Sequence, residues 1–362
     1  MKKNIDVILL FAVIIISIFG VMMIYSSSSI WAEYKFNDSL KYLKLQSIFL
    51  IIGTILMIII SKIPYMYYKD KANIILLVCF LLLILVIIPG IGKIRNGSRS
   101  WFGIGGFGIQ PSEFMKLGLI IFVSKYLCNN EKNIKDIKKG VLPILFITLL
   151  VFGLVMIQPD FGTGVIIVMS IIGLLFIAGI SMKFFYITGI FGAIGAVILI
   201  LIAPYRFKRI LSFINPWIDP LGSGFQAIQS LFAIGPGGFL GLGIGNSIQK
   251  HFYLPEPQTD FIFAIISEEL GFLGILIVST LFLIIIYRGI KISLLSNDTF
   301  AKYLSFGITF QLSFQALLNL MVVVSLIPIT GVTLPFLSYG GSSLLITLCE
   351  MGILLNISKY NS

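Results

Sequence analysis

The sequence predicts an all-α polytopic membrane protein of about ten transmembrane helices. Three observations lead there. The 362 residues are 58% hydrophobic and only 11% charged, with a mean hydropathy of +1.05, well outside the composition of soluble domains. Apolar runs long enough to cross a bilayer recur along the chain. No composition shift marks a linker, so residues 1–362 read as one integral membrane domain.

The runs fall at roughly 7–25, 44–61, 72–90, 111–128, 141–158, 162–180, 184–203, 260–287, 301–325 and 336–358. The first follows Lys2 and Lys3 and has no small-residue cleavage site, since Tyr25 and four serines lead to Trp31; it is expected to remain as a signal anchor. Cys79, Cys128 and Cys349 lie within or at the ends of runs. Without motif spacing they suggest buried thiols, not a disulfide framework or a metal site.

With both termini cytoplasmic, more than half of the 26 Lys and Arg residues fall on the inner side, as the positive-inside rule requires. The exceptions are Lys35, Lys41, Lys44, Lys93, Arg95, Arg99, Lys116, Arg206, Lys208, Arg209 and Lys250. A cationic outer face points to an anionic ligand, or else to lipid headgroups. The net charge of +11 mostly reflects inner loops facing anionic lipid, and nothing suggests nucleic acid.

Four unusual segments share the outer face in this topology. One is 93–113, KIRNGSRSWFGIGGFGIQPSE, with Pro111 at a helix start. A second is the short turn Gln158-Pro159-Asp160-Phe161-Gly162, and a third is 327–343, IPITGVTLPFLSYGGSS. The fourth, 204–259, is the longest gap between spans and holds Arg206, Lys208, Arg209 and the glycine-rich run 235–245 before Glu256, Gln258 and Asp260. Its many aromatic residues argue against disorder, and Phe225 to Ile234 has the spacing of an amphipathic helix. The remaining backbone is allowed at membrane depth only if buried in protein or lining a wet cavity.

A charge at the bilayer centre costs about 2.5 to 3.5 kcal/mol on insertion scales. Glu113, Lys116, Asp160, Asp260, Glu268, Glu269 and Glu350 lie in spans or at their ends, so they must face the bundle interior, a cavity or one another. Glu113 and Lys116, three apart, are placed to pair. Asp260 opens the eighth span, where the helix dipole favours an ionised carboxylate; it is either a helix cap or an available base or cation ligand. Glu268 lies within about 80° of the Asp260 face and Glu269 roughly opposite, both expected to pack against cations of neighbouring spans. Glu350 has no evident partner.

Other motifs fail. The run GPGGFLGLGIG lacks the Gly-Lys-Ser/Thr and preceding strand of a phosphate loop. His251 is the only histidine, which excludes a histidine-rich metal site and disfavours a Ser-His-Asp triad. Trp101 is either an interface anchor or a platform for a sugar.

The strings NGSRSWFGIGGFGIQPSEFMKL, QPDFGTG, YRFKRILSFINPWIDPLGSGFQ, GNSIQKHFYLPEPQTDFIFAIISEELGFLG and PITGVTLPFLSYGGSS resemble the signature segments of the SEDS (shape, elongation, division and sporulation) proteins. Their order fits too, and the resemblance covers nearly the whole chain. The wording DPLGSGFQ and PEPQTDFIFA is more similar to the FtsW and SpoVE branch than to the RodA branch. Gln258 departs from the pattern, since relatives often carry His there; an imidazole at that position is then not required.

The resemblance implies a peptidoglycan glycosyltransferase that polymerises lipid II at the outer membrane face, in division or spore-cortex synthesis. It also implies a class B penicillin-binding protein as transpeptidase partner, among other divisome or sporulation membrane proteins. The family's essential acid falls on Asp260 and its functional tryptophan on Trp101. Arg99, Arg206, Lys208, Arg209 and Lys250 are then expected to meet the pyrophosphate, with Lys116, Glu256, Gln258 and Ser338 as further substrate contacts and Glu113, Asp160 and Glu268 as pairing residues. An α-linked donor and a β-linked product require inversion in one displacement, for which one base suffices. Asp260 with Glu256 is equally a candidate site for a divalent cation, Mg or Mn. Two rival readings are a flippase or transporter of the lipid-linked precursor, which would place its site near the midplane, and a noncatalytic scaffold for the transpeptidase.

Overall fold

The computed structural model describes residues 5–95, 97–104, 107–134, 136–202 and 204–360, the side chains of residues 95, 104, 107, 133 and 204–206 excepted. The chain is a helical bundle of α1 (Val7–Phe36), α2 (Lys41–Ile60), α3 (Tyr65–Ile87), α4 (Pro111–Asn129), α5 (Leu142–Ile157), α6 (Phe161–Ile177), α7 (Met182–Ile202), α8 (Pro204–Ile214), α9 (Phe225–Ile234), α10 (Ile262–Leu295), α11 (Thr299–Val323) and α12 (Gly341–Ser358). Each of the ten expected spans falls on a helix. Among the described residues, eight helices are long and apolar enough to cross a membrane, counting α5 with the wide turn Ile137–Val141 that leads into it. Of the other two, α6 is apolar but has 17 residues, and α4 carries Glu113, Lys116 and Lys125.

Local chemistry explains where these helices begin and end. Asp6 caps α1 by accepting from the Leu9 amide at 3.0 Å, and Asn37 closes it in the left-handed conformation with φ 51°. The helix runs past the expected end near residue 25 because Ser27 and Ser28 return their hydroxyls to the Ile24 carbonyl, which keeps polar side chains satisfied inside a helix. Segment 93–113, expected as loop, instead folds a three-stranded antiparallel sheet: β1 (Lys93–Arg95), β2 (Ser98–Ile104) and β3 (Phe107–Ile109), in the order β1-β2-β3. The Asn-Gly sequence at 96–97 is the strongest short hairpin signal, and Gly97 has the positive φ of 80° such turns need.

Helices α11 and α12 are the most enclosed spans, while none of the central apolar window of α7 is buried in protein. The amphipathic segment expected at Phe225 to Ile234 is α9, and Ser230 fastens it to the Val323 carbonyl of α11 at 2.7 Å. Helix α10 is broken at Gly271, with φ 61° and ψ −152°. The glycine-rich run fills the break: Leu242 and Gly243 amides donate to the Glu268 and Glu269 carbonyls at 2.9 Å, and the Phe272 amide donates to Gly238 at 2.9 Å. A side chain at Gly241 or Gly271 would collide with the opposing backbone, so glycine is required on both sides of this contact.

Glu268 and Glu269 correct the expectation of cations from neighbouring spans. Glu268, fully buried, accepts from the Ser247 hydroxyl at 2.5 Å and the Ile248 amide at 2.9 Å. Glu269, also fully buried, accepts from Ser26 of α1 at 2.7 Å and pairs with Lys250 at 3.0 Å. Both carboxylates therefore hold the long loop 204–259 down onto α10, and the cation comes from that loop. Because Lys250 is 4% exposed, Lys250→Met would leave Glu269 without its counter-charge and is expected to destabilise the protein by about 3 to 5 kcal/mol, read by denaturant unfolding in detergent. Lys44→Met, at the exposed pair with Asp38, should cost almost nothing; equal effects would show the buried pair to be dispensable.

Candidate active site

The four unusual segments meet at one end of the bundle and are laced together by polar contacts. The Ser98 hydroxyl of β2 donates to the Gln158 carbonyl, which ties the sheet to the turn carrying Asp160. Gln110, between β3 and α4, donates from Nε2 to Asp160 at 3.0 Å, and its amide donates to Ser342 of α12 at 3.1 Å. Ser342 returns its hydroxyl to the Gly108 carbonyl at 2.9 Å. From the fourth segment, Arg209 on α8 donates from Nη1 to the Ile329 carbonyl at 2.9 Å.

Asp260 sits where these segments converge. The turn that delivers it is closed by the Thr259 amide and hydroxyl, which both donate to the Glu256 carbonyl, at 3.0 and 2.8 Å. The Asp260 main-chain carbonyl accepts from Asn319 of α11 at 2.8 Å. Helix α10 has Phe261 at its N-cap and no side-chain capping bond, so Asp260 does not serve as the helix cap. Its carboxyl lies deep among protein atoms, while the residue as a whole is half-buried. Burial, reinforced by Glu256 and Asp160 and opposed by Arg209, pushes its pKa up to about 6. Desolvation thus works against the ionised form that a helix start favours. The result is an acid poised near neutrality, the range that suits a general base.

A second polar group continues from this point into the bundle. Asp160 caps α6 by accepting from the Thr163 amide at 3.1 Å, and burial raises its pKa as well. Glu113 and Lys116 pair at 3.0 Å, and Lys116 also donates to Gln315 at 2.8 Å. Glu350, without a partner in the sequence reading, accepts from Gln311 of α11 at 3.1 Å.

The expected site residues thus divide. Glu256, Arg209 and Asp160 all lie within electrostatic range of Asp260. Arg99 and Trp101 lie half-buried on β2, and Trp101 stands opposite Lys93 in the sheet register. Lys208 is exposed on α8, and the side chain of Arg206 lies outside the described residues. Three residues differ from the expectation of a substrate contact. Lys116 and Lys250 are consumed by buried ion pairs. Ser338 is buried and its hydroxyl accepts from the Leu334 amide at 2.8 Å, holding a turn. Gln258 is buried, its main-chain carbonyl accepting from Tyr339 at 2.8 Å. Asn319, Gln315 and Gln110 carry contacts that sequence reasoning missed; a polar amide within an apolar run was the available signal.

For a metal, no group of three or more His, Cys, Asp or Glu side chains stands ready among the described residues. Asp260 and Glu256 offer two carboxylates, which is the donor set a magnesium ion takes when substrate phosphates and water complete its shell.

With the geometry in place, comparison with known proteins is decisive on kinship. A family model described as "Cell cycle protein", covering FtsW, RodA and SpoVE, matches residues 6–362. This chain belongs to that family. It is 49% identical over 360 residues to stage V sporulation protein E of Bacillus subtilis (strain 168), covering 99% of this chain and 98% of the relative. It is 40% identical over 353 residues to a probable peptidoglycan glycosyltransferase FtsW of Geobacter sp. (strain M18), covering 98% and 96%. Among solved structures it is similar to a chain of a peptidoglycan synthase complex studied for the coordination of polymerization and crosslinking, with TM-score 0.80, 29% identity and coverage of 99% and 98%. The rod shape determining protein RodA of Thermus thermophilus matches with TM-score 0.73 and 26% identity, covering 98% and 96%. The RodA-like fold and the multi-pass membrane character of this family member follow.

The raised pKa of Asp260 has a consequence for stability. A carboxyl whose folded pKa lies above its ordinary 3.8 binds its proton more tightly when folded, so its stabilising contribution is present at low pH and lost as pH rises through about 6. Asp260→Asn removes that penalty. The variant is expected to melt above wild type at pH 8, with the gap closing as pH falls toward about 4; a melting temperature lower at pH 8 would contradict the burial of the charge.

Proposed function

We propose that the chain is an inverting peptidoglycan glycosyltransferase that polymerises lipid II at the outer face of the cytoplasmic membrane, with Asp260 as the base. The observation that carries this reading is the placing of Asp260: a carboxyl at the meeting point of four loops, poised near neutral pH, with Arg209 alongside. Above pH about 6 the carboxylate predominates and can take the proton of the acceptor sugar hydroxyl as the glycosidic bond forms. Opposite it, the departing pyrophosphate needs positive charge, which Arg209 and Lys208 on α8 supply together with Arg99 on β2. Trp101 on the same strand is the proposed platform for a sugar ring.

The membrane geometry supports an amphiphilic substrate. Helix α7 leads directly into the cationic α8 and has no buried residue in its apolar window, so a polyprenyl tail can reach the site from the lipid while its headgroup stays among the loops. If a divalent cation takes part, Asp260 and Glu256 would hold it with pyrophosphate oxygens, and it would supply charge neutralisation at the leaving group. A class B penicillin-binding protein is the proposed partner, alongside other division or sporulation membrane proteins; the structural likeness to a chain of a peptidoglycan synthase complex supports a crosslinking companion.

Asp260→Asn, purified with its partner, is expected to make glycan strands from lipid II about 10² to 10⁴ times more slowly than wild type. Strands formed at near wild-type rate would overturn the assignment and leave the scaffold reading in its place. Arg209→Ala is expected to weaken lipid II binding more than it slows turnover of bound substrate. Unchanged affinity would reduce Arg209 to a headgroup contact.

A further inference from the structure

Asn319 lies within α11, 1% exposed, and gives both hydrogens of its amide to main-chain carbonyls: Asp260 at 2.8 Å and Val332 at 2.7 Å. A primary amide is suited to this as few side chains are, because a carboxylate has no hydrogen to give and a hydroxyl has one. Its Oδ1 is buried with no hydrogen-bond partner among the described residues, so the residue is not kept in an apolar helix for the comfort of its own acceptor. The two carbonyls belong to segments far apart in sequence, one preceding α10 and one preceding α12.

The strip between Ile329 and Val332 touches the site at each step. Ile329 accepts from Arg209 at 2.9 Å. Gly331, with φ 75°, lays its backbone so close to the acid that a Cβ there would stand 3.7 Å from Oδ2 of Asp260. Val332 is held by Asn319, which also holds Asp260. We infer that Asn319 is a positioning residue: by tying the carbonyls of Asp260 and Val332 together, it sets the strip against the Asp260 carboxylate and fixes the acid relative to Arg209. The inference rests on the reading of Asp260 as the base. Asn319 acts only through Asp260 and the strip.

The charged groups around Asp260 are Glu256 on its own segment, Arg209 on α8 and Asp160 ahead of α6. Two substitutions at Asn319 test the positioning role: Asn319→Ala removes both hydrogen bonds, and Asn319→Asp keeps the shape of the side chain without its two amide hydrogens. In full-length protein with its partner, both variants are expected to lose turnover on the order of 10²-fold through misplacement of the base, with KM for lipid II near wild type. Gly331→Ala probes the same contact from the strip, and is expected to lower turnover in the same way should an Asn319 variant fail to fold.

Turnover preserved in every folded variant, or a loss that appears in KM instead of turnover, would overturn the inference. Asp260→Asn in the same assay separates the two levels. If it still polymerises, the base assignment fails and Asn319 falls with it. If it is inactive while Asn319→Ala and Gly331→Ala keep wild-type turnover, only the positioning role fails.

Discussion

Everything at the functional end of this protein depends on satisfying a helix that breaks inside the bundle. At membrane depth an unpaired backbone amide or carbonyl is too costly to leave exposed to lipid, and Gly271 interrupts α10 nine residues after its start. The glycine-rich loop answers that break with its own main chain, and Glu268 and Glu269 answer the loop by accepting its amides, a hydroxyl and the Lys250 ammonium. Two acids adjacent in sequence, aimed at one returning segment, thereby fix the loop whose last turn presents Asp260.

The consequence is a division of labour among charges. Lys116, Lys250, Glu113, Glu268 and Glu269 are buried and spent on one another or on backbone donors. Lys208 and Arg209 lie exposed on α8, with Arg209 donating to the Ile329 carbonyl. Asp260 stands between these classes, deep enough for desolvation to dominate its titration and close enough to solvent to exchange a proton. Burial raises the Asp260 pKa even though the residue stands just ahead of a helix N-terminus, because the loss of water acts on the whole charge.

Much of this was legible in the chain. Composition and apolar run lengths predicted the helical membrane fold, the spacing at Phe225 to Ile234 predicted α9 with the same bounds, and the three-residue offset of Glu113 and Lys116 predicted their pair. The motif strings pointed to the family that the comparisons confirm. The sheet at 93–109 was missed although Asn-Gly signalled it, since a short polar stretch between spans reads as loop until a partner strand is placed beside it. Lys250 belongs by topology to the cations of the outer face, which is why the sequence points it at the pyrophosphate. Only the fold shows Glu269 already holding it.

What the sequence determined by itself was therefore the solvent and the inventory: apolar length sets how many helices can cross a bilayer, and a sparse set of ionisable residues marks where chemistry can occur. What the tertiary structure decided was which of those residues are occupied. Ser338 and Lys250 are closed by partners 4 and 19 residues away respectively, and Asn319, in sequence only a polar amide in an apolar run, joins two segments that meet only in the folded bundle. Periodicity reports the face of a helix, but a hydrogen bond between distant segments needs both of them in place.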